Sequence, residues 1–171
     1  MKLALEETAK VKLRQYVFGS HDPARGGFDC SGSIFYLLRK VDLVPARSSA
    51  GQFEWLKKAG EIHSVPAGVA SLKDQSFDDL QPGDLLFWTG TYAPKDGRPN
   101  KITHLQMYLG IEKGHGPVMV GSTDGRSYRG IARCGFGVFD FKLPRKTSKS
   151  RIAGYGTPPG LKPSEPAKKS K

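Results

Sequence analysis

The sequence predicts an α+β fold in which N-terminal helices pack on one face of an antiparallel sheet. Three observations carry this. Apolar residues recur at helical spacing as far as Ala59, then alternate at strand spacing from Leu85 onward. The two regimes do not interleave, as βαβ units would require. The length of 171 residues and the 37% hydrophobic share suit one domain with a sizeable core.

Leu3 to Val17 reads as the first helix, with Leu3, Leu5, Ala9, Val11, Leu13 and Tyr16 set among charges, and Gly19 stops it. Ser20 to Gly27 is a loop by its turn residues. Cys30 to Val41 is the second helix, with Ile34, Leu37, Leu38 and Val41 on one stripe. Ser48 or Ser49 caps a third, which runs to about Ala59 and closes at Gly60. Gln81 to Asp84 is a turn leading into a strand at Leu85–Trp88, and Thr89 to Lys101 is a polar loop. Ile102–Ile111 and Val118–Ser122 read as a hairpin, Ile131–Phe141 as a further strand and Arg151–Tyr155 as the last. From Thr157 the Pro, Lys and Ser content rises, and disorder is expected to Lys171. The chain thus divides into a folded unit, residues 1–156, and a basic tail, residues 157–171.

The formal charge is +11. From Lys142 to Lys171 there are nine basic residues and one acid, Glu165, so the excess belongs mostly to the tail. Such a tail attracts polyanions such as nucleic acid, anionic lipid or an anionic wall polymer, or simply keeps the chain solvated. The charge is not interleaved with stacking aromatics, so specific nucleic-acid binding is not expected. No stretch reaches the ~20 apolar residues of a membrane span, so no transmembrane segment is expected. Met1 to Glu7 lacks the apolar core of a secretory signal. The two cysteines, Cys30 and Cys134, are no disulfide framework, and Cys134 is expected to be a small buried hydrophobe. The four histidines do not stand at ligand spacing, so neither a metal nor another cofactor is expected. A monomer is expected.

The most informative stretch is Gly26-Gly27-Phe28-Asp29-Cys30-Ser31-Gly32, which sets a cysteine at the mouth of the second helix. The glycines allow a tight turn and close approach of another group. Asp29 suits the N-cap, where its carboxylate accepts unpaired N–H groups of the first turn. The positive end of the helix dipole favours thiolate over thiol. A cysteine nucleophile needs a base near in space, usually histidine. His104 is the best candidate, held on the apolar strand Ile102-Thr103-His104-Leu105-Gln106-Met107-Tyr108. His21, His63 and His115 lie in less rigid settings and rank lower.

Together Phe28-Asp29-Cys30-Ser31-Gly32, the Asp79–Phe87 run around Pro82-Gly83-Asp84, and His104-Leu105-Gln106-Met107-Tyr108-Leu109-Gly110 resemble the NlpC/P60 family of cell-wall cysteine peptidases. Tyr16-Val17-Phe18-Gly19 also matches, and the resemblance spans roughly Leu3 to Tyr155. It implies a papain-like fold and hydrolysis of peptidoglycan stem peptides, commonly between D-glutamate and the diamino acid. Cys30 would attack the amide carbonyl, with His104 as proton acceptor and donor. The Cys30 backbone N–H would help hold the oxyanion. Residues matching Tyr16, Asp29 and Ser31 line the substrate site in similar enzymes, so Asp29 carries two readings, cap and substrate contact. A wall substrate implies action in the periplasm or outside the cell, with cytoplasmic recycling as the alternative.

One departure from the family pattern stands out. A third polar residue usually follows on the next strand and orients the imidazole. Here the matching position is Gly121. Gln106, two residues after His104 and on the same side of its strand, is expected to supply the missing hydrogen bond, with Ser122, Thr123 and His115 as rivals. The same Cys-His pair would also serve an amidase or acyltransferase on another substrate. A missing third residue would suit a wall-binding domain with weak catalysis. Trp55 and Trp88 are expected in the core or a cleft wall, and Tyr92 and the Asp124–Gly130 run are candidates to border the cleft.

Overall fold

The computed structural model describes residues 2–162. Helix α1 spans Lys2–Val11, α2 Cys30–Arg39 and α3 Ser49–Lys58. The strands are β1 (Gln15–Tyr16), β2 (Gly27–Phe28), β3 (His63–Ser64), β4 (Leu85–Thr89), β5 (Ile102–Glu112), β6 (Gly116–Tyr128), β7 (Ile131–Asp140) and β8 (Arg151–Gly156). Strands β1 and β2 form a short parallel pair. The other six form one antiparallel sheet in the order β3-β8-β4-β5-β6-β7. The predicted α+β architecture is therefore the observed one. Among the described residues no helix is long and apolar enough to cross a membrane.

The sheet is buried on both faces. On one, Leu85, Phe87, Leu105, Met107 and Val120 meet Ile34, Leu37 and Leu38 of α2 and Leu56 of α3. On the other, Leu86, Trp88, Tyr108, Met119, Phe139 and Tyr155 pack with Val65 and Phe77 of the long connection before β4. Fully burying a side chain of this size is worth about 1.5–3 kcal/mol, so the two clusters hold β4 and β5 rigidly at the centre. A site mounted on β5 inherits that rigidity.

Three elements differ from the sequence reading. Helix α1 ends at Val11, not Val17: Lys12 turns to φ 47° and the Phe136 N–H bonds the Leu13 carbonyl at 2.9 Å. Residues 13–16 fit a helical period, but long-range pairing overrides it and places Tyr16 on a strand. Strand β6 runs to Tyr128, past the expected end at Ser122. The turn is confined to Arg129 (φ 51°) and Gly130 (φ 77°), between Tyr128 and its partner Ile131. Two consecutive positive φ values are the tight hairpin turn that matches strand twist. The folded unit also extends past residue 156. The Thr157 hydroxyl donates to buried Asp84 at 2.6 Å, and Leu161 N–H bonds the Pro158 carbonyl at 2.9 Å. The rest of the expected tail, residues 163–171, lies outside the described residues. Cys134 is exposed rather than buried, and both cysteines are free.

Candidate active site

The mouth of α2 is built as its residues dictate. Asp29 is the N-cap: its Oδ1 accepts the Gly32 N–H at 2.6 Å. Its Oδ2 accepts the Gly19 N–H at 2.9 Å, and the Asp29 N–H bonds the Ser20 carbonyl at 2.9 Å. These bonds pull the 19–20 loop onto the first turn so closely that any Cβ on Gly32 would collide with the Ser20 carbonyl oxygen. Gly27 is required in the same way against the Gln15 carbonyl, where β1 meets β2. The sheet clamps the turn from below. The Ser33 hydroxyl donates to the Cys30 carbonyl at 2.7 Å and accepts the Ser122 N–H at 2.9 Å, and the Ser122 hydroxyl donates to the Phe28 carbonyl at 2.7 Å.

The structure adds a residue that motif reading missed. Arg47, in the loop before α3, grips Asp29 with both terminal nitrogens, Nη1 to Oδ1 at 3.1 Å and Nη2 to Oδ2 at 2.9 Å. It also donates to the Ser31 hydroxyl at 3.0 Å and to His21 Nδ1 at 3.2 Å. A two-pronged guanidinium–carboxylate pair is the strong, directional form of this contact. Nothing local in the sequence marks Arg47, because its partner lies 18 residues upstream across a loop.

Cys30 is buried, and its thiol is pushed up, not down. Burial is the first cause and the neighbouring Asp29 carboxylate the second. The Leu105 N–H, the Tyr16 hydroxyl and the Ser31 N–H oppose them by favouring the anion. The helix-mouth setting alone predicts the opposite direction, because the dipole is a local effect and desolvation is not. Tyr16 itself is pushed up, first by burial and then by the Cys30 charge, so its hydroxyl stays protonated and available to the sulfur.

His104 sits one residue before Leu105, opposite Trp88 on β4, and its ring lies 5.5 Å from the indole. The pairing skips Thr103, a bulge that breaks the regular alternation immediately before the histidine. Burial, with a smaller contribution from the Arg126 charge, pushes its imidazole down to about 3. Burial thus favours the neutral form of both groups, thiol and imidazole. Tyr16 and His104 both line a cleft of about 700 Å³. Its walls include Phe18, Tyr92, Thr123 and Arg126. The Tyr92 loop is held by Arg98, which donates to the Tyr92 hydroxyl at 2.7 Å. Asp29 and Ser31 do not line this cleft; their polar atoms meet Arg47 instead.

Gln106 does lie over Gly121, as expected: a Cβ on the glycine would sit 3.0 Å from Gln106 Cγ. It does not hold His104. Neither Gln106 amide atom nor His104 Nε2 has a hydrogen-bond partner, and all three are buried. The Gln106 methylenes are spent filling the space above the glycine, so the expected hydrogen bond is absent from this structure. Of the rivals, Ser122 is engaged with Phe28, and His115 with Asp140 at 2.7 Å. Gln106→Met is expected to leave cleavage essentially unchanged and to stabilise the fold by about 1–2 kcal/mol, because it removes two unpaired buried polar atoms. Urea unfolding beside an activity assay checks this, and a sharp loss of activity at unchanged stability would restore Gln106 to the machinery.

Comparison with known proteins agrees with this architecture. The sequence matches the NlpC/P60 family over residues 13–127. It is 28% identical over 106 residues to the bifunctional muramidase/DL-endopeptidase CwlT of Bacillus subtilis. That match covers 62% of this chain but 26% of the relative, so the chain corresponds to about a quarter of that protein. In fold it is similar to a lipoprotein-like NLP/P60 family protein from Staphylococcus aureus, with a TM-score of 0.56 and 21% identity. That likeness covers 92% of this chain and 40% of the other. The family match takes in Tyr16, the Asp29-Cys30-Ser31 turn and the His104 strand, and the chain belongs to the NlpC/P60 family.

Proposed function

We propose that this chain is a cysteine endopeptidase that cuts a stem-peptide amide of peptidoglycan, at the bond between D-glutamate and the diamino acid. The observation that carries the reading is the thiol at a capped helix mouth, joined through Tyr16 to the cleft that holds His104. Family membership and a relative named as a DL-endopeptidase support the reaction class, and the bond is the one that the family resemblance implies.

In this mechanism the proton moves as the bond forms, since burial favours the neutral form of both partners. His104 takes the Cys30 proton as the sulfur attacks the amide carbonyl. The oxyanion is met by the Cys30 backbone N–H. Tyr16 faces the sulfur as a donor. His104 then returns the proton to the leaving amine, and a thioester remains on Cys30. Water, deprotonated by His104, releases the acid and restores the thiol. Residues 2–162 form the catalytic unit, and the basic residues beyond it would contact an anionic wall polymer. Such a substrate would be met at the cell wall, with cytoplasmic recycling of wall fragments as the alternative.

Digestion of purified muropeptides, with mass spectrometry of the products, tests this. New termini at D-glutamate and at the diamino acid are expected, and none with Cys30→Ala. Intact muropeptides with tight binding to sacculi would point instead to a wall-binding domain.

A further inference from the structure

We propose that Arg126 is a specificity residue that binds a free carboxylate of the substrate close to the scissile amide. The proposal rests on the endopeptidase reading above and names what that substrate must carry.

Five observations lead to it. Arg126 lines the same cleft as His104 and Tyr16. Its guanidinium lies over the Trp88 ring at 4.9 Å, so one flat face is held by the indole and the N–H edge stays free. It has no carboxylate partner among the described residues, whereas Arg47, Arg98 and Arg129 each pair with one. Two acids line the cleft: Asp140 is already engaged by His115, Lys142 and the Arg129 N–H, and Asp124, exposed two residues before Arg126, makes no ion pair with it. Finally, the β6–β7 register shifts between Thr123 and Arg126, a bulge that re-aims the side chain.

A half-buried cation with no carboxylate in ion-pair contact is costly. Burial pushes this guanidinium down to about 10, which is the mark of that cost. A planar fork stacked on an aromatic ring fits a carboxylate with two parallel hydrogen bonds. Its position beside the imidazole puts that carboxylate within a residue of the bond under attack. Binding it would also cancel the positive field that Arg126 exerts on His104.

The test is calorimetric binding to the Cys30→Ala protein, using the peptide L-Ala-γ-D-Glu-diaminopimelate. Two companion peptides are amidated, one at the glutamate α-carboxyl and one at the diamino acid. One amidation is expected to weaken binding about 10- to 100-fold, and the peptide affected identifies the carboxylate. Adding Arg126→Gln should weaken the acid peptide to the same degree and make it bind like its amide. Arg126→Lys, which keeps the charge, should recover part of the difference and shows that the site still folds. Persistence of acid-over-amide preference in Arg126→Gln, or no preference in the parent, overturns the proposal. Cleavage of the acid peptide by the unmodified protein is followed in parallel. Discrimination without cleavage would overturn the endopeptidase reading and leave Arg126 in place. Cleavage without discrimination would do the reverse.

Discussion

Replacing His104 with asparagine is expected to cut peptide-bond cleavage by about 10²- to 10⁴-fold and, at the same time, to make the fold more resistant to acid. The first effect follows from the proposed role of His104 as the proton carrier. The second follows from its burial. Folded, the imidazole titrates at about 3; unfolded, it returns to its ordinary value of 6.5. Between those values the unfolded chain binds a proton that the folded chain refuses. The contribution of neutral His104 is therefore complete above 6.5 and is lost as pH falls toward 3. The slope is about 1.4 kcal/mol per pH unit. Asparagine cannot titrate, so the variant should lose stability more slowly through that window. Urea unfolding of both proteins at pH 7, 5 and 4 measures the difference. Parallel stability curves would mean that His104 is not buried neutral in solution.

Removing the Asp29 carboxylate should be the most damaging change to the fold. Asp29→Ala leaves the Gly19 and Gly32 N–H groups without their acceptor and the Arg47 guanidinium without its partner. Loss of a cap costs about 1 kcal/mol, and an orphaned charge in a partly buried pair adds to it. A total of about 3 kcal/mol is expected, or a fall of roughly 6–12 °C in Tm for a chain of this size. Arg47→Ala should cost less, about 1–2 kcal/mol, because Arg47 is one-third exposed and Asp29 keeps both backbone donors. A double-mutant cycle would isolate the pair, and additive effects would show that Asp29 acts through the cap alone. Asp29 also raises the Cys30 thiol. Any activity left in Asp29→Ala should therefore reach its plateau at lower pH, provided the measurement is made below the melting point.

Much of this molecule was legible along the chain. Asp29 as a cap, Ser48 as a cap and Gly60 as a stop all appear where expected. So do the starts of β4, β5 and β7. These are local matters. A capping side chain reaches three residues ahead, a turn needs a particular φ, and an apolar stripe repeats within two turns of helix. Cys30 and His104 were found as candidates because each stands out within its own element, and the family pattern tied them together.

What the chain order could not disclose depends on groups distant in sequence. Tyr16 is on a strand because Leu13 meets Phe136 and Gln15 meets Gly27. Asp29 is tied to Arg47 across a loop. Gln106 is spent on Gly121 rather than on His104. Arg126 enters the cleft because β6 bulges against β7. The thiol is pushed up where the helix mouth alone would lower it, because desolvation sums over every neighbour the fold brings in. Elements and their caps are decided within a few residues. Charge pairing, burial and the aim of a side chain are decided by what arrives from elsewhere.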